Sequence, residues 1–331
     1  MDITVYAPVL IPTLNRYEHF CRCLESLEKC SGADKTEVFV ALDFPPSEKY
    51  QTGWENIDRY LAEKETNNSF GKLHVIRREH NYGVGTEHGN ADTLIADTMD
   101  KYDRYIFTED DNEFSPCFLQ YMNKALTKYY NDERVFLVCG YNPGIAAPDT
   151  YTSNYYITRE SGSPWGLGEW THKRRAYQEY YSLEKLKALL KDKQSYLTLK
   201  KKQPHCIDSI ISQIKRSSLY GDAIKGVYST LFDKYCIMPA ISLVRNWGFD
   251  GQGVHAQKHD EASMNHYINQ KISQDRDFYF SDELPEIEPS FIKDSIMASP
   301  KTTRDWYKGF VRIIDVWLFR HFSYVPKSKY I

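Results

Sequence analysis

The chain has 331 residues, enough for a sizeable core, and its formal charge of -3 gives no basic excess that would point to nucleic acid. No apolar run approaches the ~20 residues needed to span a bilayer. The N-terminus lacks the basic segment and apolar run of a secretion signal, so a cytoplasmic setting is expected. The seven cysteines are odd in number and scattered. Cys21 and Cys23 have no partner pair at zinc spacing, so reduced thiols are expected.

Ile3 to Ile11 reads as a strand, ended by Pro12-Thr-Leu-Asn15. A helix follows from about Tyr17 to Cys30, with Phe20, Leu24 and Leu27 on one face. Thr36 to Leu42 is a second strand, ending at Asp43. Pro45-Pro46 breaks the chain, and Ser47 opens a helical stretch. Leu73 to Ile76 is a short third strand. Asn81-Tyr-Gly-Val-Gly85 turns into a helix carrying Leu94, Ile95 and Met99. Arg104 to Thr108 is the fourth strand. Ser115-Pro116 reads as the N-cap and first residue of a helix running to about Tyr130. Val135 to Cys139 is a further strand. From Tyr151 onward, short strands near Tyr155 and Ile237 mix with helices around Leu183–Leu190 and Asp222–Lys234, which reads as a second lobe.

This alternation predicts an α/β fold: a mixed, mainly parallel sheet flanked by helices. Ligands of such sheets sit beyond the carboxyl ends of the strands. Thr13, Asp43, Asn81 and Asp110 all lie at or just after those ends. The fourth strand delivers Glu109-Asp110-Asp111. Carboxylates held together repel one another and demand a counter-ion. A divalent metal carrying a phosphorylated substrate is the simplest candidate.

Glu109-Asp110-Asp111 resembles the D-x-D motif of GT-A-type glycosyltransferases. The resemblance implies a GT-A (Rossmann-like) fold with an acceptor-side C-terminal lobe. It implies Mn²⁺ or Mg²⁺ on Asp111, with Asp110 assisting at the ribose or the metal. Val9-Leu-Ile-Pro-Thr-Leu-Asn15 is similar to the first strand and turn of family 2 glycosyltransferases. There Pro12, Thr13 and Asn15 would lie against a uridine, and Asp43 would contact its base. The family's usual Asp-Asp-Gly-Ser is replaced here by Leu42-Asp43-Phe44-Pro45. Asn81-Tyr-Gly-Val-Gly85 with Asn90 resembles the segment that reaches the ribose and donor sugar. Cys236 to Arg245, with Gly248 to His255, is similar to a loop of N-acetylglucosaminyltransferase I-like enzymes that closes over the donor diphosphate. Arg245 and His255 would meet phosphate oxygens there, with His255 alternatively on the metal or simply a surface-loop histidine.

An inverting transfer needs a base for the acceptor hydroxyl. By resemblance that base is Asp222, whose alternative role is helix capping. The rival is Glu169, in a Trp165-Gly-Leu-Gly-Glu-Trp170 stretch similar to the acceptor side of family 2 enzymes. Trp165 and Trp170 either stack on sugars or belong to the core.

The reading expected from the resemblance is metal-dependent transfer from a UDP-sugar to a glycan or lipid-linked saccharide acceptor in bacterial surface-polysaccharide synthesis. Residues 1–145 form the nucleotide-sugar half, 146–260 the acceptor and catalytic half, and 261–331 a helical extension. Aromatic, basic residues 304–322 either pack on the protein or a second subunit, or lie peripherally on a membrane. A sugar nucleotidyltransferase is the enzymatic alternative, although its basic, Gly-rich loop after the first strand is missing. A non-catalytic carbohydrate-binding protein on the same fold is the other.

Overall fold

The computed structural model describes residues 5–84, 88–144, 153–159, 162–251, 264–275, 277–281 and 303–326. They form two compact units. The first comprises Met1–Thr158, Gly162–His172 and Cys236–Ile287; the second comprises Arg159–Ser161, Lys173–Tyr235 and Glu288–Ile331.

The first unit is an α/β layer structure. Its elements are β1 (Val9–Thr13), α1 (Tyr17–Glu28), β2 (Glu37–Leu42), α2 (Gln51–Thr66), β3 (Lys72–Arg77), α3 (Asn90–Met99), β4 (Arg104–Phe107), β5 (Asn112–Phe114), α4 (Phe118–Lys128), β6 (Val135–Cys139), β7 (Tyr155–Thr158) and β8 (Leu167–Trp170), joined by β9 (Tyr235–Pro239) and β10 (Val244–Asn246). Eight strands make one mixed sheet in the order β3-β2-β1-β4-β8-β6-β9-β7. The β3-β2-β1-β4 half is parallel, whereas β8 runs antiparallel to both β4 and β6. β5 and β10 form a separate antiparallel ribbon.

Period-2 burial explains the layers. Leu10, Ala41, Tyr105 and Phe107 share one face and pack with Leu94, Ile95 and Met99 of α3. Val9, Ile11, Val38, Val40 and Ile106 alternate onto the other face and are fully buried. α1 buries Phe20, Cys23, Leu24 and Leu27 at helical spacing. The helix expected from Ser115 begins at Phe118 instead. The Ser115 hydroxyl donates to the Ser273 carbonyl rather than capping that helix.

The parallel half contains a switch point. From β1 the chain moves outward to β2 and β3, then returns to place β4 on the other side of β1. β1 pairs with β4 only at Val9↔Ile106 and Leu10↔Phe107. Pro12, which has no N–H to donate, pairs only toward β2. A switch point of this kind is where open α/β sheets bind ligands.

The second unit is helical: α6 (Leu183–Lys191), α7 (Lys193–Lys202), α8 (Pro204–Arg216), α9 (Gly221–Leu231) and α10 (Thr303–Phe322), with α5 (Thr171–Gln178) leading into it. Ser182 and Asp192 cap α6 and α7 by accepting backbone N–H bonds. Pro204 opens α8. Leu186, Leu190, Leu199, Ile207, Ile210 and Ile224 supply its core. Among the described residues no helix is long and apolar enough to cross a membrane. All seven cysteines are unbridged.

Candidate functional site

The end of β1 and the turn after β4 meet at the switch point. Thr13 Oγ1 donates to Asp110 Oδ2 at 2.8 Å. The turn after β1 then carries Arg16 onto both acidic residues. Its guanidinium contacts Asp110 Oδ1 and donates to Asp111 Oδ2 at 2.7 Å. Asp110 and Asp111 are each only 6 % exposed. The counter-ion demanded by the cluster is thus supplied from within the chain, a role not anticipated for Arg16. One guanidinium facing two carboxylates still leaves one negative charge over.

Burial, the largest influence, raises the Asp111 carboxyl above its usual range, with the Asp110 charge adding to the rise and Arg16 and Asn246 opposing it. For Arg16, burial opposes the charge most strongly, yet the two carboxylates outweigh it and raise the guanidinium further.

Asp111 is also tied to the β5–β10 ribbon. Asn246 Nδ2 donates to Asp111 Oδ1 at 2.7 Å and to Asn112 Oδ1 at 2.9 Å. The Trp247 N–H donates to the Asp111 carbonyl. Gly248 approaches so closely that a Cβ there would lie 2.1 Å from Asp111 Oδ2. Gly248→Ala is therefore expected to cost about 1–3 kcal/mol through overpacking and to push Asp111 off Arg16. Thermal unfolding together with calorimetric titration of UDP and Mn²⁺ checks this; wild-type stability and binding would refute the tight approach.

Asp43 and the Asn81 segment do come together. Asp43 Oδ1 accepts the N–H groups of Phe44 and Tyr82, and Oδ2 accepts the Gly83 N–H and the Asn81 amide. Gly83 adopts φ +71°, which lets the turn close onto the carboxylate. Asp43, expected at a nucleobase, thus also holds the 81–83 turn against the end of β2. Asn90 is buried and donates to the Ala41 carbonyl while accepting from Arg78 Nε. It ties α3 to β2. Arg78, which sequence reasoning missed, lies 4.7 Å over the Tyr82 ring. Its second terminal nitrogen has no hydrogen-bond partner among the described residues. Asn15 contributes a carbonyl to α1, accepting the Tyr17 N–H.

Glu109, first of the acidic run, accepts from Trp165 Nε1 at 2.8 Å. Trp165 packs edge-on against Tyr141, Phe249 and Tyr267, and the last two stack at 3.7 Å. Trp170 is instead core, donating to the Leu126 carbonyl. Glu169 sits opposite Tyr105 in the β4–β8 register, is 1 % exposed, and accepts from the Tyr105 hydroxyl at 2.6 Å. Arg245 donates to the Gln270 carbonyl and lies 3.4 Å from Glu113. In the second unit, Asp222 occupies the first turn of α9 with its side chain 54 % exposed and Lys225 at 4.0 Å. Gly85, His255 and residues 252–258 of the expected closing loop lie outside the described residues.

Asp110 and Asp111 offer hard oxygen donors, the set a divalent cation takes when substrate phosphates complete its coordination. Among the described residues no group of three or more His, Cys, Asp and Glu joins them as a self-sufficient metal cage. The donor chemistry would suit a cation that shares its coordination with substrate phosphates; among the described residues Arg16 brings the positive charge to those oxygens.

No protein-family model matches the sequence, and no curated protein matches it. Similar solved structures include a mannosyltransferase and TarS. One is the mannosyltransferase PcManGT from Pyrobaculum calidifontis, in complex with GDP-Man and Mn²⁺, at 15 % identity and TM-score 0.35, covering 54 % of this chain and 48 % of that one. Another is S. aureus TarS 1-349 in complex with UDP-GlcNAc, at 16 % identity and TM-score 0.36, covering 54 % and 49 %. TarS itself aligns at 13 % identity and TM-score 0.37, over 99 % of this chain and 56 % of that one. The chain spans about half the length of these structures.

Proposed function

We propose that the chain is a GT-A-type glycosyltransferase that moves a sugar from a UDP-sugar to a glycan or lipid-linked saccharide hydroxyl, with inversion, in surface-polysaccharide synthesis at the cytoplasmic face. The observation that carries this reading is the Thr13–Asp110–Arg16–Asp111 constellation at the β1/β4 switch point. A buried acidic pair at the ligand edge of a parallel half-sheet suits a phosphorylated substrate accompanied by a cation. Pro12, Thr13 and Asn15 form one wall of the donor site in this reading. Asp43, Asn81 and Asn90, with Gly85, would hold the opposite rim; Arg245 would approach from strand β10, and His255 would belong to the closing loop.

Mn²⁺ or Mg²⁺ would be held by Asp111 with help from Asp110, supplying Lewis-acid stabilisation of the departing diphosphate. The chain's own residues do the rest. Asp222 takes the acceptor proton, so that the acceptor oxygen bonds to the anomeric carbon while the sugar–phosphate bond breaks. Its electron pair leaves on the phosphate oxygen. Closure of the 246–258 loop excludes water, which otherwise competes as acceptor.

Calorimetry with UDP tests the reading. UDP is expected to bind at least about tenfold more tightly with Mn²⁺ than without, and Asp111→Asn to abolish that difference. Equal UDP binding with and without Mn²⁺ removes the metal from the proposal. Binding of free sugars but no nucleotide would make the chain a carbohydrate-binding protein instead.

A further inference from the structure

The second unit is basic within a chain that is acidic overall. Residues 173–235 carry 14 Lys and Arg against 6 Asp and Glu, whereas the whole chain is at -3. Its last helix, α10, is fixed by its inner face. Val316 and Phe319 are buried there. Asp315 pairs with Lys215 of α8, and Arg320 donates to the Leu190 carbonyl at the end of α6. These contacts set the roll of the helix.

That roll turns an apolar stripe outward. Phe310 is 62 % exposed, Ile313 69 % and Trp317 51 %, with Ile314 beside them. Positions 310, 313, 314 and 317 follow helical spacing and lie on one face. Phe322 and Tyr324 extend the exposed surface past the helix end, where Ser323 turns the chain with φ +56°. A surface helix normally presents polar residues opposite its buried face; this one is apolar on both. Contiguous exposed apolar surface of that kind marks an interaction site. Near the end of α10, residues of α6, α8 and α10 line a cleft of about 610 Å³ that includes Glu184, Lys187, Lys191, Phe319 and Tyr324.

We propose that the outer face of α10 docks the protein onto an anionic lipid bilayer, with Phe310, Ile313, Ile314 and Trp317 at the boundary between headgroups and acyl chains. The charge of the unit selects this occupant. A second copy would bring two basic units together and be repelled, whereas an anionic surface attracts each Lys and Arg within a Debye length. The helix lies in the interface plane rather than across it, because it is not apolar enough to span. This surface is independent of what the nucleotide site binds.

The test is co-sedimentation of the full chain with vesicles of phosphatidylcholine alone, or mixed equally with phosphatidylglycerol. Wild type is expected to pellet with the anionic vesicles at least about tenfold more than with the neutral ones. Ile313→Glu/Trp317→Glu, at two mainly exposed positions, is expected to lower anionic binding at least about tenfold with an unchanged melting temperature. Should that pair unfold the unit, Trp317→Ser carries the same expected direction without added charge. No binding to anionic vesicles overturns the proposal. So does binding that these substitutions leave intact, which would be charge alone. A dimer that Ile313→Glu/Trp317→Glu dissociates, with no vesicle binding, overturns it in favour of a second copy.

Discussion

Arg16→Met lowers the stability of the ligand-free chain by about 3–5 kcal/mol, and Mn²⁺ restores part of the loss. The size follows from what is left behind. Asp110 and Asp111 are both buried, and both rely on the same guanidinium. Methionine fills much of the side-chain volume but leaves two desolvated carboxylates facing each other. A divalent cation then stabilises the folded state by mass action. In wild type without nucleotide, the guanidinium competes for the same oxygens, so Mn²⁺ is expected to shift the melting temperature far less. Arg16→Lys separates charge from geometry, because a compact ammonium cannot bridge two carboxylates as a planar fork does. Thermal unfolding of the three proteins with and without Mn²⁺ is the measurement. Equal Mn²⁺ responses in wild type and Arg16→Met would show that Arg16 does not stand in the cation's place.

Asp222→Asn is expected to lower turnover of the nucleotide sugar by about 10²–10⁴-fold, the range lost with a general base. Glu169→Gln is expected to keep most of it. The two carboxylates differ in surroundings. Asp222 is half exposed at the start of α9. Glu169 lies inside the sheet, its oxygen taken by the Tyr105 hydroxyl. Glutamine there keeps an acceptor for that hydroxyl, so the loss is confined to stability, about 1–3 kcal/mol. Steady-state kinetics on both amides, with melting temperatures alongside, read the two effects separately. A dead but well-folded Glu169→Gln beside an active Asp222→Asn would reverse the proposed assignment.

Much of the β1–β4 half of the sheet was legible because its signals are local. Strand–helix alternation up to Phe107 follows from period-2 and period-3.6 runs, and Asp43, Asn81 and Asp110 fall where those runs end. What the sequence hid was long-range. β8 inserts antiparallel between β4 and β6, and nothing in Leu167–Trp170 announces its neighbours. That pairing carries Glu169 and Trp170 into the interior. Asn246 and Gly248 reach Asp111 only through the β5–β10 ribbon, across more than a hundred residues of chain. Arg16 did leave a signal: a lone basic residue in the turn after a strand whose neighbour ends in carboxylates. One arginine is a weak pattern until topology sets β4 beside β1.

The turn around Asp43 has a thermodynamic consequence. Four donors already fill that carboxylate before any ligand arrives. A nucleobase approaching it must exchange one hydrogen bond for another, which is close to neutral in free energy. The turn formed by Asp43 and residues 81–83 is already held by these bonds, so it adds little ordering penalty to association. The carboxylate then contributes rigidity more than discrimination. Were a base to bind here, discrimination would rest on other groups, among them Arg78, which has a buried terminal nitrogen without a hydrogen-bond partner among the described residues.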